Sequence, residues 1–266
     1  EMGFHGLMSG DHAVYPESIV PNYPYSESGV PPMQPDDEYP DQTAIFAAMA
    51  AVTSKLLFTC GVYVLPLRNH HEVARASATL AILSDNRFIL GVGIGWMKEE
   101  FDIYGVDFHQ RGKITDEIIE VLQSLWSGQM VEYHGAHFDF PRVQLSPAPS
   151  RHPPIYVGGS SEIALRRAAR VGGGYIGAGT APDDVGPLLQ RLNELRQEYG
   201  RDHLPFEAMI GISASPSLTL YQRLADRGLE STVAPPFQYA LGKKHSTVDE
   251  KKQFMETYAE SIMRHF

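Results

Sequence analysis

Short apolar runs alternate with longer amphipathic stretches along almost the whole chain, and this alternation constrains the fold more than any other feature. Between the runs lie segments with apolar residues three and four positions apart, as in residues 113–126, a spacing typical of helices. Strands that are apolar on both faces and separated by helices indicate a parallel sheet covered by helices. The predicted strands are residues 4–9, 57–65, 87–94, 155–157, 175–178, 206–213 and 231–234.

The number of strands and the chain length point to a barrel. A TIM (β/α)8 barrel has eight such units in about 250 residues, and the 266 residues here supply seven strands apart from a predicted hairpin over residues 130–140. We therefore expect an α/β chain with a single barrel domain over residues 1–266, and a first strand that precedes Glu1. A doubly wound open sheet is the alternative.

Composition limits the partners of the chain. A net charge of -10 argues against nucleic acid, whose phosphates attract basic surfaces. No apolar run approaches the roughly 20 residues that span a membrane. The one cysteine, Cys60, fits a reducing compartment, so we expect a cytoplasmic protein. His134 and His137 lie in the predicted hairpin without a third ligand, and we predict no metal site.

Residues 15–41 contain seven prolines and four tyrosines, which predicts an irregular segment. A loop of this length inside a compact domain is usually functional or disordered. The tyrosines favour an ordered lid or a partner surface over a solvated linker.

A turn between a strand and a helix follows at Gly158, Gly159, Ser160 and Ser161. The glycines allow a tight turn, and one of the serines is expected to cap the helix. The free N–H groups of the first helical turn suit a phosphate. An ordinary turn of small residues with no ligand is the alternative.

Glycines also interrupt two predicted strands. Gly91, Gly93 and Gly95 do not have the G-x-G-x-x-G order of a dinucleotide site. Glycines at alternate positions leave one face of a strand without side chains. Such a face suits either a flat ring or close packing of a helix. The sequence Cys60-Gly61-Val62 predicts a bulge within another strand, next to a ligand. Cys60 itself is interpreted as a small buried apolar residue rather than a reactive thiol.

Asp11 and His12 follow the first predicted strand, at the end of a barrel where active sites form. A histidine donates or accepts protons near neutral pH. Asp11 is a candidate either to orient His12 or to bind a ligand. A structural pair with no catalytic role is the alternative.

Three segments together resemble a known family. Residues 62–112 contain RFILGVGIGWMKEEF, residues 153–169 read PPIYVGGSSEIALRRAA, and residues 9–16 read SGDHAVYP. In this order they resemble the luciferase-like monooxygenase superfamily, and most closely its coenzyme F-420-dependent oxidoreductases. The resemblance implies a TIM barrel, a homodimer, and a flavin or deazaflavin at the carboxyl ends of the strands.

The resemblance also implies roles for individual residues. A non-proline cis peptide is expected at Gly61-Val62, behind the cofactor ring. The phosphate is expected at residues 158–161, and Asp11 and His12 are expected to contact the ring and the substrate. His12 is then the candidate for proton transfer. The residues expected to lie along the ring are Cys60, Gly61, Val62, Gly91 and Gly93.

One departure from the family bears on the substrate. In the sugar-phosphate dehydrogenase branch a catalytic Glu follows the glycine-rich strand, where this chain has Trp96. Trp96, Tyr15 and the other tyrosines predict an aromatic pocket for a hydrophobic substrate such as an enone, a terpenoid or an aromatic compound.

The predicted function is hydride transfer between coenzyme F-420 and this small molecule. An FMN-dependent monooxygenase using O2 and a non-catalytic flavin-binding protein are the alternatives.

Overall fold

The computed structural model describes residues 2–26, 28–31 and 33–266 and divides into two units. One unit holds residues 7–155, and the other holds residues 156–266 together with the N-terminal residues up to Gly6. Pro32, one of the prolines behind the predicted irregular segment, lies outside the described residues. The described residues between 15 and 41 contain neither helix nor strand, as predicted.

The first unit contains strands that end close to the candidate site. Strand β1 is hydrogen-bonded to β2, and both β2 and β3 pair in parallel with β4. The predicted strand over residues 57–65 is wrong in one respect, because it is interrupted at Gly61-Val62 and ends in a 3-10 turn that contains Pro66. The strands are β1 (Gly6–Ser9), β2 (Leu57–Cys60), β3 (Tyr63–Val64) and β4 (Phe88–Gly93).

The first two helices of the first unit begin at side-chain caps. Asp41 caps the first helix by accepting from the N–H of Ala44, and Asn69 caps the second. The last turn of the fourth helix buries Trp126, whose Nε1 donates to the carbonyl of Ala74 at 3.1 Å. The helices are α1 (Gln42–Val52), α2 (His70–Leu83), α3 (Lys98–Tyr104) and α4 (Arg111–Trp126). A hairpin of β5 (Val131–His134) and β6 (Asp139–Val143) follows, as predicted.

Helix α3 was not predicted. Only Glu100 and Phe101 of its seven residues are buried, so it lacks the repeated apolar positions from which a helix is recognised. Gly105 ends it in the left-handed conformation, with φ at 68°.

The second unit repeats the alternation of strand and helix. Its strands form a parallel sheet in the order β7, β8, β9, β10. They are β7 (Ile155–Gly158), β8 (Gly174–Thr180), β9 (Glu207–Ile212) and β10 (Ser231–Val233). The helices are α5 (Glu162–Val171), α6 (Val185–Glu198), α7 (Leu218–Ala225), α8 (Phe237–Ala240) and α9 (Val248–Ser261). All but the short α8 were predicted.

None of the helices in the described ranges is both long and apolar enough to cross a membrane.

Candidate active site

His12 lies just beyond the end of β1 and is held by a buried carboxylate. Its Nδ1 is 2.9 Å from Oε2 of Glu100, in helix α3. The other oxygen, Oε1, accepts from the backbone N–H of Ala13 at 2.8 Å. The side chain of Glu100 is 2% exposed and that of His12 is 14% exposed. One carboxylate therefore fixes both the imidazole ring and the backbone that follows it.

Glu100 was not predicted as a site residue, because an acidic residue in a stretch with several charges is usually solvated. A signal is nevertheless present in the sequence. Met97, Glu100 and Phe101 have the i, i+3, i+4 spacing of one helical face, and all three are buried. An acidic residue on a face that is otherwise apolar indicates a charge with a buried partner.

Asp11 has different partners from those considered in the sequence analysis. Its carboxylate accepts from NH2 of Arg68 at 2.7 and 2.9 Å, and from the backbone N–H of Val64 at 2.9 Å. The carboxylate that contacts His12 belongs to Glu100 and not to Asp11. Burial alone would lower the pKa of Arg68, but the pair with Asp11 raises it. Asp11 thus ties the start of the His12 loop to strand β3.

Aromatic rings surround His12, as the sequence predicted for Trp96 and the tyrosine-rich segment. The ring centroid of His12 is 5.3 Å from that of Tyr39 and 5.8 Å from that of Trp96, both edge to face. The ring centroid of Tyr23 lies 5.2 Å from that of Trp96, also edge to face. Tyr15, the tyrosine singled out from the sequence, is half-buried, and the rings next to His12 are those of Tyr39 and Trp96.

The expected cis peptide is present between Gly61 and Val62. The N–H of Gly61 donates to the carbonyl of Ser9 at 2.7 Å, which joins the bulge to the end of β1. Gly61 and Val62 are half-buried, whereas Cys60 before them and Tyr63 after them are buried. The bulge is therefore more accessible than the residues on either side of it.

Cys60 contributes its backbone to the bulge rather than its thiol. The side chain is 1% exposed. Burial, with the charge of Asp11, raises the pKa of the thiol well above its ordinary value, so the sulfur stays protonated at neutral pH. The expectation of a buried cysteine is confirmed, and its low reactivity stays a prediction.

Close packing explains two of the strand glycines. A Cβ on Gly93 would lie 2.3 Å from Cγ2 of Val62, and a Cβ on Gly61 would lie 2.3 Å from Sδ of Met8. Both distances are far below van der Waals contact, so these positions exclude larger residues. Gly91 and Gly93 are buried in β4. Contact of these two glycines with a cofactor ring stays a prediction.

The turn at residues 158–161 belongs to the second unit and leads into helix α5. Gly159 has φ at 127°, and a Cβ there would lie 2.9 Å from Cβ of Ala164. Tyr175 holds the turn by donating its hydroxyl to the carbonyl of Gly159 at 3.0 Å. Ser161 caps α5 by accepting from the N–H of Ala164 at 3.2 Å, and Ser160 and Ser161 are both exposed.

Near the start of α5, Arg166 and Arg191 share salt bridges with three carboxylates, those of Glu162, Glu194 and Glu198. Glu162, in the first turn, pairs with Arg166 at 2.8 Å and with Arg191 at 2.7 Å. These guanidinium groups lower the pKa of Glu162, Arg191 having the largest effect, and they balance its charge. Arg167, also in α5, is 5% exposed and packs inside the unit.

The histidines of the hairpin have no metal-site arrangement. Nδ1 of His134 is 2.5 Å from Oδ1 of Asp139, and this hydrogen bond raises the pKa of His134. Within the described ranges, no three His, Cys, Asp or Glu side chains are grouped so as to hold a metal ion.

Comparison with known proteins adds relatives along the whole chain. An uncharacterized protein of Mycobacterium tuberculosis is 33% identical over 262 residues, which is 98% of this chain and 90% of the relative. A coenzyme F-420-dependent hydroxymycolic acid dehydrogenase of the same organism is 34% identical over 155 residues, 56% of this chain and 42% of the relative.

Solved structures share the fold. The crystal structure of monooxygenase RslO1 from Streptomyces bottropensis matches with a TM-score of 0.76 at 17% identity, over 99% of this chain and 89% of that one. A coenzyme F-420-dependent secondary alcohol dehydrogenase, in complex with a coenzyme F-420-acetone adduct, matches with a TM-score of 0.73 at 15% identity, over 98% and 90%. The predicted TIM barrel of the luciferase-like type is confirmed.

The family model for luciferase-like monooxygenases matches residues 1–260. Members of this family are oxidoreductases and monooxygenases, and the prediction of an oxidoreductase is confirmed at that level. The chain belongs to the luciferase-like monooxygenase family.

Proposed function

We propose that the chain is an oxidoreductase that moves a hydride between coenzyme F-420 and a hydrophobic alcohol or its carbonyl product. The observation that supports this most is the pair of His12 and Glu100. Glu100 binds Nδ1 of His12 at 2.9 Å, which leaves Nε2 as the ring nitrogen for a substrate. Exchange of an alcohol with a carbonyl requires a group that accepts and returns a proton.

His12 handles the proton in this reaction. When bound, the deazaflavin supplies a carbon that accepts or donates the hydride. In oxidation, Nε2 accepts the hydroxyl proton as the substrate carbon loses its hydride and the C–O single bond becomes a carbonyl. In reduction, Nε2–H returns the proton to the carbonyl oxygen. The proton and the electron pair thus leave and arrive by separate routes.

The cofactor is assigned to two separate places. We assign its ring to the accessible bulge at Gly61 and Val62, with Cys60, Gly91 and Gly93 supplying the strand backbone around it. We assign its phosphate to residues 158–161, where exposed serines precede a ten-residue helix. Each assignment rests on the local geometry of its own unit.

The rings next to His12 favour an apolar substrate. Trp96, Tyr39 and Tyr23 present aromatic surface, which binds apolar groups and excludes water. The guanidinium of Arg68 is the positive charge close to Asp11, and it already pairs with the Asp11 carboxylate. It is therefore not free to bind a phosphate of the substrate. A charged sugar phosphate would find its phosphate poorly matched here. A substrate screen with turnover only on sugar phosphates would refute this part.

A titration separates the candidate cofactors. Purified protein is titrated with oxidised coenzyme F-420 and, separately, with FMN, while the fluorescence of Trp96 and Trp126 is followed. We expect saturable quenching by coenzyme F-420, weakened in Gly159→Ala, whose φ of 127° strains any side chain. Gly200→Asn is the matched control. Gly200 also has a positive φ, but it has open space around it, and asparagine tolerates positive φ.

Two results would contradict the proposal. Tight binding of FMN with no response to coenzyme F-420 would favour the FMN-dependent monooxygenase. Binding of coenzyme F-420 without turnover of any alcohol or carbonyl would favour a non-catalytic flavin-binding protein.

The one buried cysteine fits a cytoplasmic location. The family resemblance also supports the proposal that the chain is a single domain and forms a homodimer. Light scattering coupled to gel filtration tests the dimer. A mass of about one chain would refute it.

A further inference from the structure

Glu100 makes an unusual set of contacts for a charged residue. Its Oε2 lies 2.9 Å from Nδ1 of His12, and its Oε1 accepts from the N–H of Ala13 at 2.8 Å and of Val14 at 3.4 Å. The side chain is 2% exposed. A buried carboxylate is costly unless its oxygens are hydrogen-bonded, and here both oxygens have partners.

We infer that Glu100 is a positioning residue, which keeps a proton on Nδ1 of His12 and so makes Nε2 the atom that exchanges a proton with the substrate. This inference rests on the proposed function for its catalytic part. Its structural part concerns the imidazole alone and is testable without cofactor.

The direction of the hydrogen bond follows from the donors around Glu100. Backbone N–H groups only donate, so they fix Oε1 as an acceptor. An ionised carboxylate has no hydrogen, so Oε2 also accepts. The ring nitrogen that faces it must therefore be Nδ1–H. In a neutral imidazole one nitrogen carries the hydrogen, and Nε2 is left with a lone pair.

This arrangement suits proton transfer in both directions. As an alcohol is oxidised, the lone pair of Nε2 takes the hydroxyl proton and the ring becomes an imidazolium. The negative charge of Glu100, 2.9 Å from Nδ1, stabilises that cation inside a largely buried pair. In the reverse direction, the imidazolium gives the proton from Nε2 to the carbonyl oxygen and returns to the neutral form.

Glu100→Gln keeps the shape of the side chain but is expected to move the imidazole hydrogen of His12 from Nδ1 to Nε2. The two backbone N–H groups require an oxygen at the Oε1 position, so the amide oxygen must lie there. The amide NH2 then faces His12 and donates to Nδ1. The neutral imidazole must place its hydrogen on Nε2, which can no longer accept a proton from an alcohol.

Glu99→Gln is the matched control. Glu99 is the adjacent residue in α3, and its Oε1 accepts from the backbone N–H of Val20 at 2.8 Å. An amide oxygen preserves that bond. The change in charge equals that of Glu100→Gln, on the same helix and against the same loop, but His12 is not contacted by Glu99.

The direct test is two-bond ¹H–¹⁵N NMR of the histidine side chains, with His12 assigned by its loss in His12→Gln. Spectra are recorded over a pH series and the neutral form is analysed. We expect Nδ1 to be the protonated nitrogen in the wild-type protein and in Glu99→Gln, and Nε2 to be the protonated nitrogen in Glu100→Gln. A wild-type ring with its hydrogen on Nε2 would overturn the inference. This reading requires only that His12→Gln folds, which the unchanged signals of the other histidines would show.

Activity tests the second part. We expect kcat for alcohol oxidation to fall about 100-fold or more in Glu100→Gln, the usual range for loss of a general base, with KM changed less than threefold or so. Glu99→Gln should retain kcat within about threefold. A reversed tautomer with unchanged kcat would overturn the role of Nε2. Absence of turnover by the wild-type protein would refute the proposed function, while the NMR result would still decide the position of the proton.

Discussion

The ion pair of Asp11 with Arg68 should contribute strongly to both stability and activity. Asp11 is 8% exposed and Arg68 is 20% exposed, and two N–O contacts of 2.7 and 2.9 Å join them. In Arg68→Met the methionine fills most of the volume of the arginine stem but leaves the carboxylate with the N–H of Val64 as its remaining partner in this cluster. Breaking a buried pair in this way costs about 3–5 kcal/mol.

The partial exposure of Arg68 places the expected loss near the lower end, at about 3 kcal/mol. Its guanidinium also lies 4.8 Å from the centroid of the Tyr63 ring, and loss of that contact adds up to about 1 kcal/mol. We therefore predict that the free energy of unfolding falls by about 3–4 kcal/mol. Because Asp11 anchors the loop that carries His12, kcat should fall as well.

Urea unfolding followed by circular dichroism and by tryptophan fluorescence measures this change. Asp11→Asn and the double variant complete a cycle, in which we expect a coupling energy of about 1–3 kcal/mol. The exposed pair of Lys98 with Asp102 is the control, because Lys98→Met should cost less than about 1 kcal/mol. Additive effects of the two changes, to within about 0.5 kcal/mol, would refute the reasoning.

Two further predictions concern pH and packing. Burial, with the neighbouring His71, lowers the pKa of His70 to about 4 from its usual 6.5. Between these values the unfolded chain binds more protons than the native protein, so stability should fall as the pH drops from about 6.5 towards 4. Urea unfolding at pH 7 and at pH 5 measures the effect. After allowance for solvent exposure, the free energy of unfolding should fall between these pH values by about 1 kcal/mol less in His70→Phe than in the wild-type protein. An equal fall in both proteins would contradict this. Gly93→Ala should destabilise the protein by about 1–3 kcal/mol, because its Cβ would clash with Val62. Gly186→Ala, with open space around it, should be neutral or stabilising. Thermal unfolding of both variants measures the difference, and similar effects of the two changes would exclude the clash as the cause.

The sequence predicted most of the fold because the physical signals for it are local. Apolar runs and helical spacing depend on residues close together in the chain, and the strands and longer helices lie near their predicted positions. The glycine at position 61 predicted a bulge in this strand, but the cis peptide at Gly61-Val62 was expected only from the family resemblance. Residues 57–65 read as one apolar run, and their periodicity contains no sign of the break.

The candidate site was predicted in its elements but not in its pairings. His12, Trp96 and the tyrosine-rich segment lie together as expected. Glu100 is 88 positions from His12 in the chain, and nothing local to either residue indicates that they meet. Asp11, adjacent to His12, was the natural choice for its partner. The side chain of Asp11 turns instead to Arg68, because a guanidinium offers a carboxylate a stronger pair than an imidazole does.

The central claim is that hydride passes between coenzyme F-420 and a hydrophobic alcohol, with His12 carrying the proton. Its most direct test is to mix the protein with oxidised coenzyme F-420 and a panel of apolar alcohols under nitrogen, and to follow the absorbance of the oxidised cofactor. The account predicts a loss of absorbance without O2, slowed at least about 100-fold in His12→Gln. Turnover that requires reduced FMN together with O2, and is indifferent to His12→Gln, would contradict it.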